Sequence, residues 1–211
     1  MKEIVSKCTH GIDLHTAAIY RNNLPQIRAS IDDEETKRLA HCFGTTVIIN
    51  SKLRDGSLRE AARKKKVTLL LYEGGEALRL EENSIKMGLR GCLSVMREIA
   101  MLPKPVKALN KRITKQTFVA QNSYWVRAPH SGSFYAAKKV GDHVGPDERL
   151  ALITDPFGER PYEVKSRDKG IIIGISKVPL INEGDAMIHI ATFDELAKVK
   201  NAINILDTDL Y

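Results

Sequence analysis

An α/β sheet domain followed by an all-β domain is the fold class this sequence predicts, and three observations carry it. Strand and helix patterns alternate through residues 1–108. Prolines at positions 103 and 105 then break the last helix pattern. From 117 to 192, short apolar runs are separated by glycine and proline turns, with no helical period. Alternating elements with fully apolar strands imply a largely parallel sheet. Repeated hairpins imply a small sandwich or flattened barrel.

The first strand is expected at 10–15. Asp32, with Glu35 three residues on, has the capping-box pattern for a helix over about 33–43. Thr45 to Asn50 is β-branched and apolar, so a strand. Ser57 with Glu60 is a second capping box and opens a short helix to about Lys65. Val67 to Tyr72 is continuously apolar, as a strand covered on both faces should be. A longer helix over about 81–101 would set Ile85, Leu89, Cys92, Val95, Met96 and Ile99 on one stripe. Leu102-Pro103-Lys104-Pro105 reads as a linker. Beyond it, the segments starting at Gly132 and Gly170 repeat one plan: glycine, strand, a Gly-Asp turn, strand. Residues 193–211 read as a short helix and a tail. The expected boundaries are therefore 1–108, 117–192 and 193–211.

Composition narrows the function classes. The chain has 211 residues, 43% hydrophobic, enough for real cores. No apolar run approaches the ~18 residues of a membrane helix, and residues 1–20 lack the plan of a signal peptide. Cys8, Cys42 and Cys92 are odd in number and scattered, which reads as reduced thiols in a cytoplasmic protein. The net charge of +7 does not form an aromatic-interleaved stripe, and its densest run, Arg63 to Lys66, ends an expected helix where cations complement the dipole. Neither a nucleic acid nor a membrane is expected as partner.

The chemistry-bearing residues stand where strands run out. His15 closes Gly11-Ile-Asp-Leu-His15, and Glu73 follows Leu69-Leu-Leu-Tyr72. Ligand-binding groups of open α/β sheets gather beyond the carboxyl ends of strands. A histidine at one end and a carboxylate at another are the parts of metal-assisted hydrolysis, a ligand and a general base. A catalytic zinc takes three protein ligands, and the sequence offers one, His15. Arg21, Asn22, Asn23 and Arg28 crowd downstream of His15, as an anion-binding cleft or as a solvated loop. Gly74-Gly75 reads equally as a close backbone approach or a tight turn. His41 falls on the apolar side of its helix, while His130, His143 and His189 are too dispersed for a metal constellation.

In this order, five stretches resemble the succinylglutamate desuccinylase/aspartoacylase family of zinc-dependent amidohydrolases: Gly11-Ile-Asp-Leu-His-Thr16, Arg21-Asn-Asn-Leu-Pro-Gln-Ile-Arg28, Ser57-Leu-Arg-Glu-Ala-Ala62, Leu71-Tyr-Glu-Gly-Gly75 and the helix at 81–102. The second half resembles the biotinyl/lipoyl-like β-domain of many members. The resemblance implies a partial zinc-carboxypeptidase-like parallel or mixed sheet with helices, followed by an all-β sandwich. It implies His15 as a zinc ligand, Asp13 as a group supporting the ligand shell, and Glu73 as the catalytic base. It also implies an arginine for the substrate carboxylate: Arg59 fits the local motif, Arg63 the raw spacing.

The family's other two zinc ligands belong to an upstream His-x-x-Glu motif, and no such motif occurs in this chain. The strand at 10–15 cannot easily turn His10, Asp13 and His15 onto one metal, because alternate side chains face opposite ways. The chain is expected to be a C-terminal portion of a zinc hydrolase that cleaves an amide, or an ester, of a small N-acylated carboxylate. A separate N-terminal chain or a homo-oligomer is the expected partner. The competing reading is a non-catalytic interaction or assembly module built on the lipoyl-like domain. A carrier role is disfavoured, since the turn Asp155-Pro-Phe-Gly158 has no lysine to modify.

Overall fold

The computed structural model describes residues 3–53, 55–103 and 116–208, with side chains given as far as Ile203. Lys104 and Pro105 of the expected linker, and residues 209–211 of the tail, lie outside the described residues. The chain divides into two compact units: residues 1–15, 25–74 and 80–119, and residues 16–24, 75–79 and 120–211. Sequence reading places 16–24 and 75–79 in the α/β half.

Along the chain run β1 (His10–His15), β2 (Arg21–Ala29), α1 (Glu34–Phe43), β3 (Val47–Asn50), α2 (Leu58–Arg63), β4 (Thr68–Glu76) and α3 (Glu82–Glu98). In the first unit β1 pairs with β4 in parallel, from His10 opposite Thr68 to His15 opposite Glu73. β2 hydrogen-bonds to β4 and, in parallel, to β3, from Gln26 opposite Val47 to Ala29 opposite Asn50. Sequence reading missed β2, because Arg21-Asn-Asn and Pro25 blur the two-residue period.

Helices α1 and α2 start on side-chain caps. Asp33, not Asp32, caps α1: its Oδ1 accepts the Thr36 N–H at 2.8 Å. Gly44, with φ of 83°, ends the helix in the left-handed conformation that glycine adopts freely. Ser57 caps α2 by accepting from Glu60 N–H at 3.2 Å, and Glu60 accepts from Gly56 N–H at 3.0 Å. Arg38 donates to Glu35 within α1 and also to Glu98 of α3, tying the two helices. His10 Nε2 lies 3.3 Å from Glu35 Oε1, tying β1 to α1.

The core of this unit centres on Phe43, stacked on Tyr72 with ring centroids 5.3 Å apart. Here one expectation holds only in part. Of the expected stripe on α3, Val95 is buried and Cys92, Met96 and Ile99 are half-buried, but Ile85 and Leu89 are 53% and 60% exposed. The buried residues are Met87, Gly88, Gly91 and Val95. A Cβ on Gly91 would lie 2.1 Å from the Phe43 ring, and one on Gly88 3.3 Å from Tyr72. The two glycines let the helix axis approach the aromatic pair, so closeness of fit overrides side-chain size. β4 is also covered on one face only. Leu70 and Tyr72 are buried, while Leu69, Leu71 and Glu73 are half-buried on the other face.

The second unit contains β5 (Phe118–Ala120, shared at its start with the first), β6 (Asn122–Arg127), β7 (Gly132–Ala136), β8 (His143–Val144), β9 (Arg149–Thr154), β10 (Tyr162–Lys165), β11 (Gly170–Ser176), β12 (Leu180–Ile181), β13 (Ala186–Thr192) and α4 (Leu196–Thr208). β13 pairs antiparallel with β6 and β11, and β11 with β8 and Arg21–Asn23. A second antiparallel sheet runs β10-β9-β7-β12. Phe134, Leu150, Ile153, Ile172, Met187 and Ile188 fill the core. The β1–β4 and β2–β3 pairs of the first unit are parallel, as expected for that half, and the pairs of the second unit are antiparallel, so the fold taken as a whole is mixed α/β. The reason is the antiparallel pairing of every long strand beyond residue 120.

Gly91→Val should destabilise the protein by about 1–3 kcal/mol in denaturant unfolding, the scale of forced overpacking. An unchanged midpoint would show that α3 does not rest on Phe43. A second test concerns acid. Hydrogen bonding to Arg38 holds the Glu35 carboxyl down at about 2. A carboxyl lowered on folding adds stability above its unfolded value of ~4.3, and that stability is lost as pH falls through the folded value. Glu35→Gln should therefore be less stable than wild type near neutral pH, with the gap closing between about pH 4.5 and 2 in thermal melts. A gap independent of pH would remove the ion pair as its cause.

Candidate active site

β1 and β4 set the site. Their parallel register places His15 directly opposite Glu73 and Asp13 opposite Leu71. Opposed residues of neighbouring strands project on one face, so Asp13, His15 and Glu73 share it. Asp13 Oδ1 lies 3.1 Å from His15 Nε2, an i, i+2 contact along one strand face. The sequence placed Glu73 just past a strand; in the structure β4 continues through Gly74 and Gly75 to Glu76. Gly74 is a close approach: a Cβ there would stand 2.6 Å from the Tyr72 hydroxyl and 3.3 Å from Pro25 Cα. Gly75, with φ of 74°, takes a conformation that favours glycine.

A third strand completes the arrangement. Arg28, on β2, donates from Nε to Glu73 Oε2 at 3.0 Å, with the two side chains 20% and 18% exposed. The sequence had grouped Arg28 only with a polar crowd after His15. Its position in a strand beside β4 was hidden with β2 itself. Two residues earlier, Gln26 is fully buried, and neither its Nε2 nor its Oε1 has a hydrogen-bond partner among the described residues. A glutamine inside an otherwise apolar strand segment was the signal available for it.

The other candidates lie elsewhere. Arg59 is buried and donates to the Ser51 carbonyl at 3.2 Å and its hydroxyl at 3.1 Å, at the end of β3. Arg59 and Arg63 line a cavity of about 590 Å³ with Ser30, Thr36, Lys66 and Thr68. Thr68 precedes Glu73 by five residues, roughly 17 Å of strand. Arg28, not either of these, is the arginine brought to Glu73. Arg21 belongs to the second unit, with its guanidinium 4.9 Å over the Trp125 ring, and Asn22 stands opposite Ile175. Trp125 in turn stacks on buried His189 at 4.6 Å. His41 is exposed rather than at the core boundary.

A zinc ion was expected with His15 as ligand. His15 Nε2 is engaged with Asp13, and no three His, Cys, Asp or Glu side chains among the described residues are grouped to hold a metal. These residues do not make up a zinc site by themselves. Among them the three cysteines are free thiols, and no helix is long and apolar enough to cross a membrane.

Residues 1–99 match the family model described as the succinylglutamate desuccinylase/aspartoacylase catalytic domain. That stretch, just under half of the chain, is similar to this family's catalytic domain. Solved structures with the same fold include a succinylglutamate desuccinylase/aspartoacylase from Rhodobacter sphaeroides, at 19% identity and a TM-score of 0.78 over 90% of this chain and 60% of the other. The product-bound ectoine utilization protein EutE (DoeB) from Ruegeria pomeroyi gives 16% and 0.78 over 90% and 60%. A succinylglutamate desuccinylase from Silicibacter sp. TM1040 gives 17% and 0.78 over 92% and 60%. No curated protein sequence matches. The chain thus spans about 60% of the length of the solved structures it matches.

Removing one partner of a half-buried ion pair leaves the other charge poorly compensated. Arg28→Met should cost about 1–3 kcal/mol in unfolding free energy. Adding Glu73→Gln should recover part of that loss, since residues in contact are not additive. Strict additivity in the double variant would show that the pair does not interact in solution.

Proposed function

We propose that this chain carries the proton-transfer and substrate-binding part of a zinc-dependent deacylase that cleaves the amide, or less readily an ester, of a small N-acylated carboxylate. The observation that carries this reading is the opposition of His15 and Glu73 on neighbouring parallel strands, with Arg28 held to Glu73. In this reading Glu73 takes a proton from the attacking water and passes it to the leaving nitrogen, as a general base within hydrogen-bond reach does. Asp13 fixes the His15 imidazole through their 3.1 Å contact. Arg28 presents a planar fork of five N–H donors, of which Nε–H serves Glu73, and the fork suits a substrate carboxylate. That role passes to Arg28 from Arg59 and Arg63.

His15 is the ligand this chain offers to zinc. The remaining ligands, in this reading, come from a polypeptide segment beyond the described residues or from a partner subunit. Free thiols fit a reducing compartment, the cytoplasm. The β-rich second unit, read as a biotinyl/lipoyl-like sandwich, serves as a scaffold. An interaction role for it is favoured by Phe157, 86% exposed in the turn between β9 and β10.

The chain alone should not retain stoichiometric zinc through dialysis against a mild chelator. Retention would place a complete site within its own residues. In an assembly with measurable turnover, Glu73→Gln should lower kcat by about 10²-fold or more with zinc content unchanged. His15→Ala should instead lose the zinc. Full turnover in Glu73→Gln would remove Glu73 from the chemistry.

A further inference from the structure

Gln26 is the energetic anomaly of the first unit. It is fully buried in β2, and both polar atoms of its carboxamide lack a partner among the described residues. A buried unsatisfied donor or acceptor costs roughly 1–3 kcal/mol, and native proteins carry few of them. Methionine, of similar length and without those polar groups, would avoid that cost. Stability alone therefore gives no account of a glutamine at this position.

Its location gives one. The β2–β3 ladder is regular from Gln26 opposite Val47 to Ala29 opposite Asn50. Gln26 and Arg28 therefore leave β2 on the same face, about 7 Å apart along the strand. Arg28 on that face donates to Glu73, whose register partner is His15. The unpaired carboxamide is thus a neighbour of the proposed acid–base group. A carboxamide presents an N–H donor and a carbonyl acceptor side by side, the complement of another amide; an ester offers acceptors only.

We infer that Gln26 is a specificity-determining residue, whose carboxamide reads the scissile amide of the substrate and favours it over the corresponding ester. This inference rests on the deacylase reading above. The side chain is covered in the free protein, so it must turn outward, or its cover must shift, for the ligand to reach it. An amide with no partner among the described residues breaks no hydrogen bond in that movement and gains two on contact. Sites built to hydrogen-bond a substrate N–H reject analogues lacking it far more strongly than sites that read shape alone.

The test uses the whole chain and two probes, N-acetyl-L-aspartate and its ester isostere O-acetyl-L-malate, with binding read by calorimetry and amide chemical shifts. Wild type should bind the amide about tenfold or more tightly than the ester, the scale of a hydrogen bond left unmade. Gln26→Met should erase that preference, keep the ester affinity, and melt at the same or a higher temperature. Gln26→Leu serves as a second variant, and a large loss of melting temperature in both would make Gln26 structural and overturn the inference. Arg28→Met should weaken both probes alike. If Arg28→Met does so while Gln26→Met keeps the amide preference, the site reading stands and the inference falls. If wild type binds neither probe, or neither variant alters binding, both fall together.

Discussion

The placement of every candidate group depends on which residues of β4 are turned toward α3. Tyr72 is pinned there by its stack on Phe43, by Gly88 beneath its ring, and by its hydroxyl donating to the Ser84 carbonyl at 2.7 Å. Successive side chains of a strand face opposite ways, so a buried Tyr72 commits Glu73 to the other face. A slip of one residue would drive the carboxylate under α3 and expose the tyrosine, which makes the register strongly specified. The same packing lowers the acidity of Tyr72, since burial disfavours the phenolate. Through the parallel ladder, the choice made at Tyr72 also fixes the face of Asp13 and His15.

The sequence made some of this legible and concealed the rest for identifiable reasons. β1 with His15 at its end and the Ser57 cap follow from local chemistry, and local rules found them; Glu73, expected just past a strand, lies within β4. Apolar periodicity misread α3, because it weighs side-chain size, while the contact with Phe43 is made possible by residues with none. β2 was hidden because a proline and five polar residues occupy a strand that the sheet accepts through its neighbours. With β2 unseen, neither Arg28 nor Gln26 could be placed; Arg59 and Arg63, the arginines the resemblance implies for a substrate carboxylate, stand on α2, while Arg28 is the one brought to Glu73. The second unit's repeated hairpins were readable from glycine spacing; the entry of residues 16–24 and 75–79 into that unit is a long-range pairing that no local pattern signals.

The polar groups of the open face also show where stability and function diverge. Arg28 and Glu73 are each about four-fifths covered, and an ion pair so placed pays desolvation that an apolar pair of similar volume would not. Gln26 adds a carboxamide without a partner among the described residues, a short step away. The opposite face of the same sheet is conventional, with Ile27, Ile48 and Leu70 fully or almost fully buried beneath Phe43 of α1, itself fully buried. Local departures from the packing rules, gathered on one face and absent from the other, are the pattern expected of a functional surface.

β1 completes that contrast. It stands at the end of the strand order, each of its six residues is at least partly exposed, and Leu14 is 59% exposed. Edge strands invite pairing with other chains, and charged side chains along them are a common guard against it. Asp13 and His15 supply such a guard through their mutual contact. The segments that bind or move are drawn from the least stable parts of a fold, and β1 has no buried residue where β3 has three and β4 four. The residue offered as metal ligand therefore sits on an exposed edge strand, while the proposed base sits on a strand anchored by buried Leu70 and Tyr72. An added ligand can then draw His15 away from Asp13 at small structural cost, whereas Glu73 stays fixed by Tyr72 beneath it and Arg28 beside it.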